Sequence, residues 1–178
     1  MVDLDNYYWY KNVFTNEEIE EIHKIAKKEK EEDGGIFSGE EGHRKSTVKW
    51  LAYTDETAWI FKRITDCMDE ANKELWGFEW SGDTESIQYT IYESNVKGHY
   101  NWHMDLGGSN QDRKISAVVM LNDEYTGGGL EIWGKDLTEA YGKGNMVVFP
   151  SFLLHKVNPV IEGTRYSLVI WSGGESFK

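Results

Sequence analysis

Three residues that lie far apart in this chain have the types and the spacing to hold a metal ion. His103 and Asp105 are two apart in the run Gly98-His-Tyr-Asn-Trp-His-Met-Asp105, so an extended backbone turns both side chains to one face. His155 follows well downstream, after an apolar run that ends in Phe149 and Pro150. Two imidazoles and one carboxylate on one side of an ion leave the opposite positions open, and such a facial set suits non-haem Fe(II). Arg165 heads the stretch Arg165-Tyr-Ser-Leu-Val-Ile-Trp171, whose alternation puts Arg165, Ser167, Val169 and Trp171 on a common face. A guanidinium placed there can take one carboxylate of a small diacid in a two-pronged, charge-assisted pair, with apolar groups beyond it walling a pocket. His103, Asp105 and His155 are the candidate catalytic and metal-ligating residues.

These side chains need strands to carry them. From Ile87 the pattern has a period of two: Ile87, Tyr89 and Ile91 alternate with Gln88, Thr90 and Tyr92. One face is apolar and the other hydrogen-bonding, as where a strand divides a core from a polar pocket. Further strands are expected at 114–121, 130–133, 145–149, 155–157 and 165–171, with turns at 107–113, 123–129 and 134–144. Many short strands with Gly-rich turns indicate a sandwich or barrel. Gly127 to Gly129 reads as a tight turn, because it lacks the lysine and helix of a phosphate cradle.

The upstream half reads as support. Tyr7, Tyr8, Trp9, Tyr10, Val13 and Phe14 suggest an edge strand, and Thr15 to Glu18 is a capping box with Phe14 and Ile19 as its apolar staple. The helix that follows buries Ile19, Ile22, Ile25 and Ala26; His23 on it is structural or exposed. Residues 33–43, with four glycines, form either a plain linking loop or a lid. A strand over 44–53 leads to a second helix capped at Thr54 or Asp55. Its stripe of Ile60, Ile64, Cys67, Met68, Ala71 and Leu75 stops near Gly77. The fold class is α+β, mainly β, in one domain over 1–178, with helical support at about 15–77 and a β core at about 84–172.

Composition narrows the partners. Net charge is −12, from 31 acidic and 19 basic residues, which disfavours a nucleic-acid backbone and admits a basic protein or peptide. Cys67 is the sole cysteine, so no intrachain disulfide can form and a reducing, cytoplasmic setting is expected, with the thiol buried in the core. No signal-peptide pattern or membrane-length apolar stretch is seen, and a monomer is expected.

The region from Ser86 to Trp171 resembles the 2-oxoglutarate/Fe(II) dioxygenases, within them the prolyl 4-hydroxylase-like branch. The resemblance rests on Tyr92, the Gly98–Asp105 run, Arg113-Lys-Ile-Ser-Ala-Val-Val-Met-Leu-Asn122 and Gly127-Gly-Gly-Leu-Glu131. It continues through Val148-Phe-Pro-Ser-Phe-Leu-Leu-His155, Val157-Asn-Pro-Val160 and Gly163-Thr-Arg-Tyr-Ser167. It implies a double-stranded β-helix, a jelly roll of the cupin kind, flanked by helices. It implies Fe(II), 2-oxoglutarate and O2 as cofactor and co-substrates, with succinate and CO2 released, and leaves room for ascorbate. By matched position His103, Asp105 and His155 would ligate iron and Arg165 would seat the distal carboxylate, with Tyr92 bonding to the co-substrate. Tyr100, Trp171 and Arg113 would line the substrate side. Met120 stands where some relatives have a second tyrosine, and Ser167 or Thr90 would substitute for it.

A prolyl residue in a protein or peptide is the expected target, with a free amino acid or other small molecule as the alternative. Nucleic-acid dealkylation fits less well, because those relatives carry another arginine where this chain has Trp171. A catalytically inactive cupin-like module holding zinc would use the same ligands but would not need Arg165. His99 and His43 are expected to be peripheral.

Overall fold

The computed structural model describes residues 6–35, 42–108 and 110–175. In chain order, β1 (Tyr8–Tyr10) precedes α1 (Asn16–Lys27), β2 (Glu32–Asp33), β3 (Arg44–Lys45), β4 (Thr47–Leu51) and α2 (Ala58–Ala71). Then come β5 (Ile87–Glu93), β6 (His99–His103), β7 (Arg113–Met120), β8 (Tyr125–Gly127), β9 (Leu130–Ile132), β10 (Met146–Pro150), β11 (His155–Val157) and β12 (Val160–Gly173). All these strands pair antiparallel, in two sheets. The larger runs β1-β10-β7-β12-β5-β4-β2, with β8 joined to the start of β12; the smaller runs β3-β6-β11-β9.

The large sheet is buried on both faces. Ile87, Tyr89, Ile115, Ala117, Val119, Met146, Val148, Leu168 and Ile170 turn toward the helices and pack with Ile19, Ile22, Ile60, Ile64 and Met68. Each fully buried isoleucine of this layer contributes roughly 1.5–3 kcal/mol. Tyr92, Val118, Met120, Val147 and Phe149 turn the other way and meet Leu130, Ile132 and Val157 of the small sheet. Such double burial explains why β7 is buried without a break from Lys114 to Met120, where a half-exposed strand would alternate. This is the jelly-roll sandwich expected from the sequence, with both helices against one sheet.

Local departures from expectation have physical causes. The strand expected over 44–53 is two strands, because the chain changes sheet at Ser46, whose Oγ accepts from Arg44 Nε at 2.8 Å. The second helix starts later than Thr54 or Asp55. Its N-cap is Thr57, whose Oγ donates to the Ala52 carbonyl and accepts from the Thr54 N–H. That helix runs into a wider π turn at Asn72–Trp76 and ends at Gly77, φ +64°. Asn72 fixes the exit, bonding both the carbonyl and the N–H of Phe78. Cys67 is half-buried at the margin of the helix-side core, with its carbonyl taken by the Tyr10 hydroxyl. The centre of the glycine-rich segment, 36–41, lies outside the described residues. Among those described, no helix is long and apolar enough to cross a membrane.

The capping box also fastens one helix to the other. Thr15 Oγ accepts from the Glu18 N–H, and Glu18 accepts from the Thr15 N–H and from both terminal nitrogens of Arg63 on α2. The hydrogen bonds from Arg63 and from the Thr15 backbone outweigh burial and hold the Glu18 carboxyl below the ordinary glutamate range. Its stabilisation is therefore present above the ordinary glutamate range and lost as pH falls through the lower value of the folded protein. Thr15→Ala should cost about 1 kcal/mol in urea unfolding at neutral pH. Glu18→Gln should also destabilise at neutral pH, with the gap from wild type closing on acidification; a gap independent of pH would contradict this account.

Candidate metal centre

The two histidines are brought together by one strand pairing. β11 pairs with β6 so that His155 stands opposite His103, while Val157 stands opposite Tyr100 across a bulge in β6. The rings lie 4.2 Å apart, centre to centre. His103 Nδ1 bonds the Asn101 carbonyl at 2.7 Å and His155 Nδ1 bonds the Leu153 carbonyl at 2.8 Å. A carbonyl only accepts, so each Nδ1 carries the proton and each Nε2 presents a lone pair to the site. The β6 run can start at Gly98 because a Cβ there would fall 2.8 Å from the Glu93 nitrogen and 2.9 Å from the Tyr92 Cα.

Asp105 completes the group from outside the ladder. The sequence suggests that it closes the strand with His103, but β6 ends at His103. The N–H groups of Asp105 and Leu106 both donate to the Ser151 carbonyl, at 2.9 and 3.0 Å. Asp105 Oδ1 lies 3.6 Å from His103 Nε2 and Oδ2 lies 3.4 Å from His155 Nε2. One ligand atom from each of the three residues falls within 4.8 Å of the others, a group able to hold a metal ion. Burial, reinforced by His155, pushes the His103 imidazole down to about 3, so it is neutral. Burial alone would raise Asp105, but His155, His103 and the Ser116 hydroxyl outweigh it and keep the carboxyl below its usual range. A neutral His103 beside a carboxylate is the donor state that a divalent cation requires.

The large sheet buries a cation without an anion among the described residues. Arg165 stands opposite Tyr92 in the β12–β5 pairing and is 1% exposed. Its Nη1 donates to Ser167 Oγ at 3.2 Å, while Nε and Nη2 have no partner. The Tyr92 ring is 5.4 Å from the guanidinium carbon, and no ion pair to Arg165 occurs among the described residues. The Gly127–Gly129 turn closes over it: a Cβ on Gly128, φ +64°, would come 3.3 Å from Arg165 Cδ and 2.9 Å from Val160. Thr90, opposite Ser167, is fully buried and accepts from the Gln88 amide at 2.7 Å. An orphaned, buried guanidinium fits a carboxylate brought in from solution.

The remaining candidates form the rim. Tyr100 stacks on His103 with centres 3.4 Å apart and planes within 13°, and the Arg44 guanidinium carbon lies 4.6 Å from the centre of its ring. Trp171 is buried, with its indole N–H unpartnered and the Arg113 guanidinium 4.0 Å above its ring. Arg113 is itself held two-pronged by Glu85 and reaches the Asp105 carbonyl at 3.5 Å, so its charge is already balanced. His99 bonds the Lys97 and Gly42 carbonyls and His43 packs edge-on against Tyr100; neither joins the triad. Two residues escape sequence reasoning. Ser116 is a lone hydroxyl in the apolar β7 and Ser151 directly follows Pro150; both are fully buried beside Asp105.

The model of the 2OG-Fe(II) oxygenase superfamily matches residues 87–173, which span every residue of the triad and Arg165. A PKHD-type hydroxylase of Crocosphaera subtropica is 30% identical over 171 residues, covering 90% of this chain and 75% of that protein. The chain belongs to the 2OG-Fe(II) oxygenase superfamily. A PKHD-type hydroxylase of Synechococcus sp. is 38% identical over 148 residues, or 78% of this chain, which spans 64% of that relative's length. The fold matches a crystal structure of a Pseudomonas putida prolyl-4-hydroxylase with TM-score 0.73 and 18% identity, covering 96% of this chain and 93% of that one. It matches equally, at 0.73 and 15% identity, a Trichoplax adhaerens prolyl hydroxylase in complex with a hypoxia inducible factor peptide fragment, covering 95% and 84%.

A buried charge lacking a counter-ion destabilises the empty protein, so its removal has an unusual signature. Arg165→Met should leave the ligand-free protein as stable as wild type or more so in thermal unfolding. The same variant should lose the rise in Tm that 2-oxoglutarate gives wild type. A strongly destabilised variant, with nothing added, would mean that the cation is balanced from within.

Proposed function

We propose that this chain is an Fe(II)- and 2-oxoglutarate-dependent dioxygenase that hydroxylates a prolyl residue in a protein or peptide. The observation that carries this reading is the unneutralised Arg165 guanidinium on the large sheet, buried in the same sandwich as the His103, Asp105 and His155 group. A zinc-holding module has no need of it. When bound, the iron, with 2-oxoglutarate and O2, supplies the oxidising power that turns a C–H bond into C–OH while succinate and CO2 leave.

The chain's own residues bind, orient and exclude. His103, Asp105 and His155 are the metal ligands. Arg165 seats the distal carboxylate of 2-oxoglutarate, with Ser167 steadying the guanidinium, Tyr92 bonding to the co-substrate and Thr90 closing the polar floor. Tyr100, stacked on a ligand, fixes one wall of the entrance, and Trp171 under Arg113 forms an aromatic shelf for a pyrrolidine ring. Replacing bulk water by such walls keeps the oxidant from side reactions. A groove of about 670 Å³ beside Arg113 is lined by Glu79, Asp83, Glu85, Asp112 and Glu175, which favours a peptide with basic residues near its target. The single cysteine supports action in a reducing, cytoplasmic setting.

Turnover separates the substrate classes. Fe(II)-loaded protein given 2-oxoglutarate and O2 should release succinate with a basic, proline-containing peptide, and mass spectrometry should find one oxygen atom added on proline. Free amino acids and methylated oligonucleotides should give little. His103→Ala should abolish both products while the circular dichroism spectrum stays unchanged. A folded, iron-loaded protein that makes succinate with none of these substrates would overturn the assignment.

A further inference from the structure

Of the three candidate ligands, Asp105 alone has no strand to hold it. His103 and His155 face each other in a ladder, and each is steadied by a bond from its far ring nitrogen to a carbonyl. Asp105 lies past the end of β6, yet it is buried and its carboxylate bonds a residue of the large sheet. Two hydroxyls meet it there. Ser116 Oγ lies 2.7 Å from Asp105 Oδ2, and Ser151 Oγ lies 2.9 Å from Ser116 Oγ; both serines are 0% exposed.

The direction of these bonds follows from the donor inventory. An ionised carboxylate only accepts, so the single Ser116 proton goes to Oδ2, and the Ser151 proton must go to Ser116 Oγ. The chain Ser151→Ser116→Asp105 is thus polarised one way, each bond strengthening the next in a dry interior. It also ties three separate segments together. Ser116 stands on β7 between Phe149 and Trp171 in register, Ser151 opens the turn that leads to His155, and the Ser151 carbonyl takes both N–H groups at Asp105. Oδ2 accepts from Ser116 and also lies 3.4 Å from His155 Nε2, while Oδ1 lies 3.6 Å from His103 Nε2, so the hydroxyl fixes the rotation that turns both oxygens toward the imidazoles.

We propose that Ser116 and Ser151 form a buried hydroxyl relay that positions Asp105, holding its carboxylate in the one rotation that turns its oxygens toward the Nε2 atoms of His103 and His155, where the three residues would hold a metal ion. Ser116 and Ser151 are positioning residues that touch neither metal nor substrate. This inference rests on the metal-centre reading above.

The test uses Co(II) as the probe, with no turnover required. Wild-type protein should bind Co(II) and show its visible ligand-field bands. Ser116→Ala should weaken binding roughly 10–100-fold and alter the band pattern, because the carboxylate is no longer held in one rotation. Ser116→Thr, which keeps the hydroxyl, should restore both. Ser151→Ala keeps the carbonyl and the Ser116 contact, so it should give a smaller shift in the same direction without a cavity beside the ligand. Wild-type affinity and spectrum in folded Ser116→Ala would overturn the relay, as would weaker binding with unchanged bands, which marks a packing loss only. If Ser116→Ala does not fold, an unchanged affinity and spectrum in Ser151→Ala would overturn it. Wild-type protein that binds no Co(II) would instead remove the metal centre itself.

Discussion

A positive charge sealed inside the sandwich is the constraint on which the rest of this structure turns. Desolvating a guanidinium costs several kcal/mol, and the single bond from Arg165 to Ser167 Oγ recovers only part of it. The surrounding fold must therefore be stable enough to hold the residue in place unpaired. It does so by setting Arg165 mid-sheet, on the longest strand, between β5 and β7, and by folding a glycine turn over its methylenes. The stored cost is what makes the cavity receptive to an anion: the binding partner removes a penalty already present.

The large sheet works as a partition. Its helix-facing side is ordinary apolar core formed with α1 and α2. Its inner side carries Tyr92, Thr90, Arg165, Ser167 and Ser116, an unusual density of polar groups for a buried surface. The small sheet contributes only short strands, but it delivers both histidines. Rigidity and chemistry are thus divided between the two faces of the same strands, with the period-two geometry of the backbone doing the sorting.

That division decides how much the sequence could disclose. β5 and β12 alternate cleanly, so Tyr92 and Arg165 were legible as members of a polar face, and the His-x-Asp spacing marked the triad. The capping box at Thr15 and the stop at Gly77 were equally plain, since both use local chemistry. Ser116 was hidden because β7 is covered on both sides and its burial has no period. The sheet change at Ser46 and the π turn at Asn72 depend on partners distant in sequence, which local composition does not encode. Asp105 illustrates the same limit from the other side: its residue type announced a ligand, but its support comes from Ser151, in the turn after β10.

The ends of the large sheet have a consequence for the molecule in solution. One border is the three-residue β1 and the other is the two-residue β2, Glu32–Asp33, both side chains exposed and acidic. A sheet border with unpaired amides is a template for stacking further chains, and nature blunts it by brevity and by charge. Here both devices are present, and the net charge of −12 adds long-range repulsion between copies. The broad sheet that carries Arg165 is thereby kept from growing into a filament.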